Sequence, residues 1–213
     1  GMQAAGGQGA VGGQGAVGGQ AAAAQAALPM GCVLTIAAAG SEMSNSSVIT
    51  NEEMHEKSAI LDDALFPVLA IVDPELMVSV PPKFTAYQGF DALFHSVEAY
   101  IAGTANLMSD MFALAAIENV SRYLTRAVRD GKDIEAREHV AFGNYASGFV
   151  MCVGSCASEH SLEHAMSAYH QELPHGAGLI MISRAYYTHF INRHVCDERF
   201  IRMARAMGMA EAS

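Results

Sequence analysis

The sequence predicts a mainly α-helical fold that carries a small β-rich segment on its N-terminal side. Residues after the Val-Pro-Pro-Lys stretch at 80–83 show apolar positions at helical spacing over six successive segments. The preceding residues instead form short apolar and β-branched runs that end in Gly, Ser or Asp-Pro. With 51% hydrophobic and 16% charged residues, the chain has enough apolar material for a core.

The β-rich segment is predicted over residues 28–82. Its first part, "LPMGCVLTIAAAGSE", suits an apolar strand that runs into a Gly-Ser turn. The short β-branched run "SSVITN" predicts a second strand, and "FPVLAIVDPEL" predicts a buried strand that Asp-Pro closes.

The helical part is predicted over residues 83–213, with Pro81 and Pro82 at its entry, where proline is favoured. Turn residues separate the periodic segments at "GTAN", "DGKD", "GSCAS", "HQELP" and "RHVCD". The expected helices are 83–102, 107–129, 134–154, 158–169, 175–192 and 196–208.

Residues 1–27 differ in character from the rest of the chain. They are Gly/Ala/Gln-rich and contain "GAVGGQ" twice, with almost no side chains that could pack. The composition is typical of a flexible tail. Two alternatives stay open: a silk-like stacking tract, which two repeats support poorly, and an artefact that stands in for another sequence.

The charge balance excludes some classes of partner. The formal net charge of −10 disfavours binding to nucleic acid or to an anionic membrane surface.

The four cysteines, Cys32, Cys152, Cys156 and Cys196, form no CxxC pair, so reduced residues of a cytoplasmic protein are expected. Cys152 and Cys156 are expected one above the other on a helix. No signal peptide and no membrane-spanning run are predicted.

Residues that commonly bind metals occur at helical spacing in two places. Asp91 and His95 are four residues apart in "GFDALFHSVEAY" and therefore project from one helix face. His160 and His164 have the same spacing in "EHSLEHAMSAYHQELPHG", and the hairpin "YHQELP" can fold His175 back beside His160. Each motif alone is weak, but these groups would be costly to bury unpaired in apolar helices, and a bound divalent cation would remove that cost.

The chain resembles the iron-containing, group III, alcohol dehydrogenases. The resemblance is carried by "LTIAAAGSEMSNSSVITNEE", "AIVDPELMVSVPP", "GFDALFHSVEAY" and "EHSLEHAMSAYHQELPHGAGLIMIS", in the family's order over residues 28–213. It implies a metal ion, Fe²⁺ with Zn²⁺ as the alternative, held by Asp91, His95, His160 and His175. It places His164 beside the nicotinamide and the substrate as the catalytic residue.

The resemblance also implies a parent fold of two domains, one α/β and one all-α. Residues 28–82 would be the remnant of the nucleotide-binding domain, and residues 83–213 a helical metal-binding domain, incomplete at its C-terminus. The family's Gly-Gly-Gly-Ser phosphate loop is not found, Ala39 stands where the family has Thr, and the spacing from His160 to His175 is one residue longer than usual.

The implied activity is hydride transfer between NAD or NADP and a small alcohol or aldehyde. Thr35, Gly40, Ser41 and Lys57 would contact the cofactor, although a turn hydroxyl for Ser41 and a solvated charge for Lys57 are alternatives. Glu98 is interpreted as a surface charge, with a supporting partner of a histidine as the alternative, and a homodimer is expected. A polyol dehydrogenase, a sugar-phosphate cyclase and an inactive metal-binding fragment stay open as alternative functions.

Overall fold

The structure, a computed structural model, describes residues 28–212, so the predictions for residues 1–27 lie outside it. Six helices follow a short β-rich part, which confirms the mainly α-helical fold. Their bounds are α1 Pro82–Ile101, α2 Leu107–Arg129, α3 Ile134–Val153, α4 Glu159–Tyr169, α5 His175–Asn192 and α6 Asp197–Ala206.

Local signals explain where the first three helices begin. Pro82 occupies the first turn of α1, where a missing amide hydrogen costs nothing. Asn106 accepts from the backbone N–H groups of Met108 and Ser109, and the Ser109 hydroxyl accepts from the Asn106 N–H, so α2 starts with a reciprocal capping box. Asp133 caps α3 by accepting from the N–H of Ala136.

The core lies between α1, α2 and α3. Tyr100, Ile117 and Val120 from α1 and α2 are fully buried there. Helices approach closely where glycine removes a side chain: a Cβ on Gly143 would lie 2.4 Å from Val120 Cγ2. This three-helix packing fixes α1, the helix that carries Asp91, His95 and Glu98.

The β-rich part contains two separate pairs of strands. Strands β1 (Gly31–Val33) and β4 (Leu69–Ile71) pair in parallel, and β2 (Ser46–Asn51) and β3 (Glu56–Leu61) form an antiparallel hairpin. The prediction that the strand at 69–71 is buried is wrong, because Leu69 and Ile71 are 56% and 43% exposed. Within residues 28–212 its sheet has only two strands, too few to enclose an apolar strand. Strand β3 was not predicted separately.

The hairpin of β2 and β3 packs on α4. At its turn, the ring of His55 stacks on that of Tyr169, with centroids 5.0 Å apart. Along β3, Lys57 Nζ lies 2.9 Å from Ser167 Oγ and 3.5 Å from Glu163 Oε2. The hairpin is therefore attached to the helix that carries His160 and His164.

In residues 28–212, no helix has both the length and the apolar character needed to cross a bilayer.

Candidate metal centre

Three of the four predicted ligands converge at a point between α1, α4 and the start of α5. The Nε2 atoms of His160 and His175 each lie 3.3 Å from Asp91 Oδ1. One donor atom from each of these three residues lies within 4.8 Å of the others. Asp91 and His160 are buried, whereas the His175 side chain is 30% exposed, so the cluster is accessible from one side.

His95, the fourth predicted ligand, lies at the edge of this cluster. Its ring stacks on that of His160 with centroids 3.8 Å apart, and its Nδ1 lies 3.6 Å from Asp91 Oδ1. This buried Nδ1 has no hydrogen-bond partner among the described residues. A buried polar atom without a partner is costly and suits a ligand position.

Cys156 approaches the same region from another side. Donor atoms of His95, Cys156 and His160 also lie within 4.8 Å of one another. The expectation that Cys152 and Cys156 stack on one helix is wrong, because α3 ends at Val153 and Cys156 lies beyond it. Burial, with the nearby carboxylates of Glu98 and Asp91, raises the pKa of the Cys156 thiol well above its ordinary value.

Two buried glutamates lie behind two of the histidines. Glu98 accepts a hydrogen bond from His160 Nδ1, and Glu163 accepts one from His175 Nδ1. The interpretation of Glu98 as a surface charge is wrong, since its exposure is 0%. The sequence did contain a signal: Glu98 is seven residues after Asp91, which places it on the helix face that carries Asp91 and His95.

A strained turn holds the second oxygen of Asp91. The N–H of Ala39 donates to Asp91 Oδ2 at 2.8 Å, and the N–H of Gly40 donates to Asn144 Oδ1 at 2.9 Å. Ala39 and Gly40 both have left-handed backbone angles, with φ of 64° and 57°. The turn therefore restrains the Asp91 carboxylate and leaves Oδ1 to face the imidazoles.

The carboxylates and imidazoles strongly perturb one another. Burial lowers the pKa of His160, but hydrogen bonds to Asp91 and Glu98 outweigh it and raise that pKa to about 10. Burial raises the pKa of Asp91, but His95, His160 and His175 outweigh it and hold that pKa well below its ordinary value. Burial and then the charge of His160 lower the pKa of His95 to about 3.

His164, the predicted catalytic residue, lies beside the cluster. Its ring centroid is 5.3 Å from that of His175 and 6.5 Å from that of His160. Burial and then the charge of Lys57 lower the pKa of His164 to about 4, so the ring is neutral near pH 7. A neutral imidazole has one nitrogen that accepts a proton and one that donates.

The four predicted cofactor residues occupy different positions. Thr35 and Ser41 are exposed, whereas Gly40 is buried against Gly148 of α3. Lys57 contacts Glu163 and Ser167 and thereby lies close to the histidine cluster. Separately, a cavity of ≈ 260 Å³ opens beside Asp91 and His175, with Ala39, Phe84 and Tyr87 in its wall.

The donor set fits a divalent cation. With Nδ1 of His160 and of His175 donating to glutamates, the Nε2 atom of each ring faces Asp91 Oδ1 and offers a lone pair there once its own proton has left. Such converging acceptors are favourable only when positive charge, as protons or a cation, lies between them. Imidazole and carboxylate ligands suit Fe²⁺ or Zn²⁺. Fold and site thus define a helical domain with a candidate metal centre.

Two models of protein families match this chain. Residues 85–213 match the model of the Fe-containing alcohol dehydrogenase family, C-terminal, and residues 7–74 match the model named iron-containing alcohol dehydrogenase. The chain therefore belongs to the iron-containing alcohol dehydrogenase family, which confirms the resemblance seen in the sequence.

Individual relatives agree with this assignment. Alcohol dehydrogenase 4 of Schizosaccharomyces pombe is 40% identical over 149 residues, which are 70% of this chain and 35% of the relative. NAD-dependent methanol dehydrogenase of Bacillus methanolicus is 35% identical over 189 residues, 85% of this chain and 47% of the relative. The chain thus spans less than half the length of these relatives.

Solved structures share the fold. A mutant of an archaeal halo-thermophilic alcohol dehydrogenase from a Red Sea brine pool gives a TM-score of 0.81 at 32% identity, covering 84% of this chain and 45% of that one. A 1,3-propanediol oxidoreductase gives a TM-score of 0.79 at 32% identity, covering 87% of this chain and 48% of that one.

Proposed function

We propose that this chain supplies the metal-binding half of an alcohol dehydrogenase or aldehyde reductase that transfers hydride between NAD(P)(H) and a small alcohol or aldehyde. The convergence of Asp91, His160 and His175 is the observation that carries the proposal. The family assignment and relatives named as alcohol dehydrogenases support it. In this proposal residues 28–82 belong to the nucleotide-binding domain and residues 83–213 form the metal-binding domain.

Asp91, His95, His160 and His175 would hold the cation, Fe²⁺ or Zn²⁺. When bound, it would supply the Lewis acidity that polarises a carbonyl oxygen or lowers the pKa of an alcohol. Asp91 contributes the negative charge, and its Oδ2 is kept in place by the N–H of Ala39. His95 contributes a buried nitrogen that otherwise has no partner among residues 28–212.

The other residues would bind and orient the reactants. His164 is half-buried and neutral near pH 7, and its ring centroid lies 5.3 Å from that of His175, so its ring could accept or donate the alcohol proton. The apolar side chains of the cavity beside Asp91 would limit the access of water. We assign Thr35, Gly40, Ser41 and Lys57 to the NAD(P) side of the site.

Metal stoichiometry tests the proposal without requiring turnover. The full chain is loaded with Fe²⁺ under anaerobic conditions or with Zn²⁺, exposed to a mild chelator, and analysed for metal per chain. Asp91→Asn, which keeps the shape and deletes the charge, and His175→Ala should both lose most of the metal. His170→Ala is the matched control. It removes an imidazole that is exposed and lies 4.0 Å from the carboxylate of Glu172.

Full metal content in both Asp91→Asn and His175→Ala would refute the assigned site. The activity itself is tested by oxidation of NADH or NADPH with short aldehydes, using metal-loaded wild type and Asp91→Asn. If both proteins have equal activity, hydride transfer does not depend on this metal centre.

A further inference from the structure

Glu98 and Glu163 lie directly behind the candidate ligands and do not belong to the predicted ligand set. Glu98 is on α1 and Glu163 is on α4, and both have an exposure of 0%. Each carboxylate accepts from the Nδ1 of one histidine, whereas the Nε2 of the same ring faces Asp91. Two buried charges in such an apolar interior require specific partners.

Glu98 makes three contacts with the first turn of α4. Its Oε1 accepts from the N–H of Glu159 at 2.6 Å, and its Oε2 accepts from the N–H of His160 at 3.0 Å and from the His160 ring. Ser158, the residue before α4, makes no side-chain capping bond. A carboxylate from α1 therefore replaces the usual local cap and also restrains the imidazole.

Glu163 is held from three directions. Its Oε2 accepts from His175 Nδ1 and lies 3.5 Å from Lys57 Nζ of the β2–β3 hairpin. On the third side, α5 packs so closely that a Cβ on Gly178 would lie 2.8 Å from Glu163 Oε1. The carboxylate that faces His175 consequently has little room to move.

We propose that Glu98 and Glu163 are paired positioning residues that keep a proton on Nδ1 of His160 and His175 and thereby aim both Nε2 atoms at Asp91 Oδ1. This inference rests on the proposed metal centre. A histidine ligand needs one defined tautomer and one ring orientation, and a carboxylate on the other nitrogen fixes both. The two carboxylates perform the same task from different helices.

The test follows the ring protons and the metal affinity separately. In the metal-free full chain with ¹⁵N-labelled histidine, NMR detects the Nδ1 protons of His160 and His175. Glu98→Gln keeps the side-chain shape but leaves one acceptor oxygen for several donors, so we expect the His160 Nδ1 proton signal to be lost or strongly shifted and that of His175 to persist. Glu163→Gln should have the reciprocal effect.

Glu159→Gln is the matched control. Glu159 is equally buried at the start of α4, but its Oε2 accepts from the Tyr187 hydroxyl and contacts neither imidazole. Competition with a chelator for Zn²⁺ should show affinity about 10- to 100-fold lower in Glu98→Gln and Glu163→Gln, and unchanged in Glu159→Gln.

The proposal is overturned if both ring protons keep their signals in the two glutamate variants, or if those variants bind Zn²⁺ as tightly as Glu159→Gln. A wild-type chain that takes up no Zn²⁺ would refute the proposed function instead, while the proton signals would still decide whether the glutamates fix the rings. Circular dichroism checks folding. If Glu98→Gln does not fold because α4 loses its cap, Glu163→Gln tests the same arrangement at His175.

Discussion

Replacing Gly148 by Ala should disturb the metal centre from outside it. A Cβ at Gly148 of α3 would lie 2.2 Å from the carbonyl oxygen of Gly40, whereas ordinary van der Waals contact begins near 3.4 Å. The obstructing atom is backbone and cannot turn aside as a flexible side chain could. The turn at 39–40 must therefore move by about 1 Å, which would weaken the bond from the N–H of Ala39 to Asp91 Oδ2.

The expected loss of stability is moderate. Overpacking of this kind costs roughly 1–3 kcal/mol, and the higher helix propensity of Ala offsets up to about 1 kcal/mol. We therefore expect the free energy of unfolding to fall by about 1–2 kcal/mol in urea denaturation. The affinity for Zn²⁺ should fall about tenfold, because the hydrogen bond that restrains Asp91 is weakened.

Gly103→Ala is the control, since a Cβ there meets no atom within 4 Å. It should not lower the urea midpoint, and it should leave the affinity for Zn²⁺ unchanged. If Gly148→Ala behaves like Gly103→Ala in both measurements, the turn does not restrain Asp91 and this part of the account is wrong.

Three further predictions concern other parts of the chain. His164→Ala should keep the metal but slow hydride transfer from NADH to an aldehyde about 100-fold; loss of metal would make His164 a ligand. Because the pKa of His160 is raised to about 10, metal binding below that pH must displace a proton. The affinity for Zn²⁺ should therefore rise about tenfold per pH unit for each proton released, and calorimetry in buffers of different ionisation enthalpy should detect that release; a pH-independent affinity would contradict this. Asn106→Ala should destabilise α2 by about 1 kcal/mol, seen as a lower urea midpoint, whereas an unchanged midpoint would show that the cap contributes little.

Helix positions could be predicted because their signals are local. The predicted helix at 107–129 agrees with α2, Leu107–Arg129, and the one at 175–192 agrees with α5, His175–Asn192. Capping residues, prolines and turn residues act within a few positions of the helix ends, so the sequence alone carries them.

The exposure of the strand at 69–71 and two of the pairings around the site could not be predicted, because they depend on distant residues. The apolar run at 69–71 suggested a buried strand, yet the residues that would have to cover it are not its neighbours in sequence. Ala39 and Asp91 are 52 positions apart, and Lys57 and Glu163 are 106 apart. No local pattern predicts such contacts.

Glu98 is an intermediate case. Its seven-residue spacing from Asp91 could have indicated a shared helix face, but the charge suggested a position at the surface. Its burial becomes favourable only because the first turn of α4 supplies donors to both of its oxygens.

X-ray absorption spectroscopy of the zinc-loaded chain tests the central claim most directly. The account predicts a shell of nitrogen and oxygen ligands near 2.0–2.1 Å, with the scattering of three imidazoles and without sulfur. His175→Ala should remove one imidazole contribution, and His170→Ala should leave the spectrum unchanged. A sulfur ligand near 2.3 Å would place the metal at Cys156 instead, and a shell of oxygen alone would contradict the Asp91, His95, His160 and His175 site.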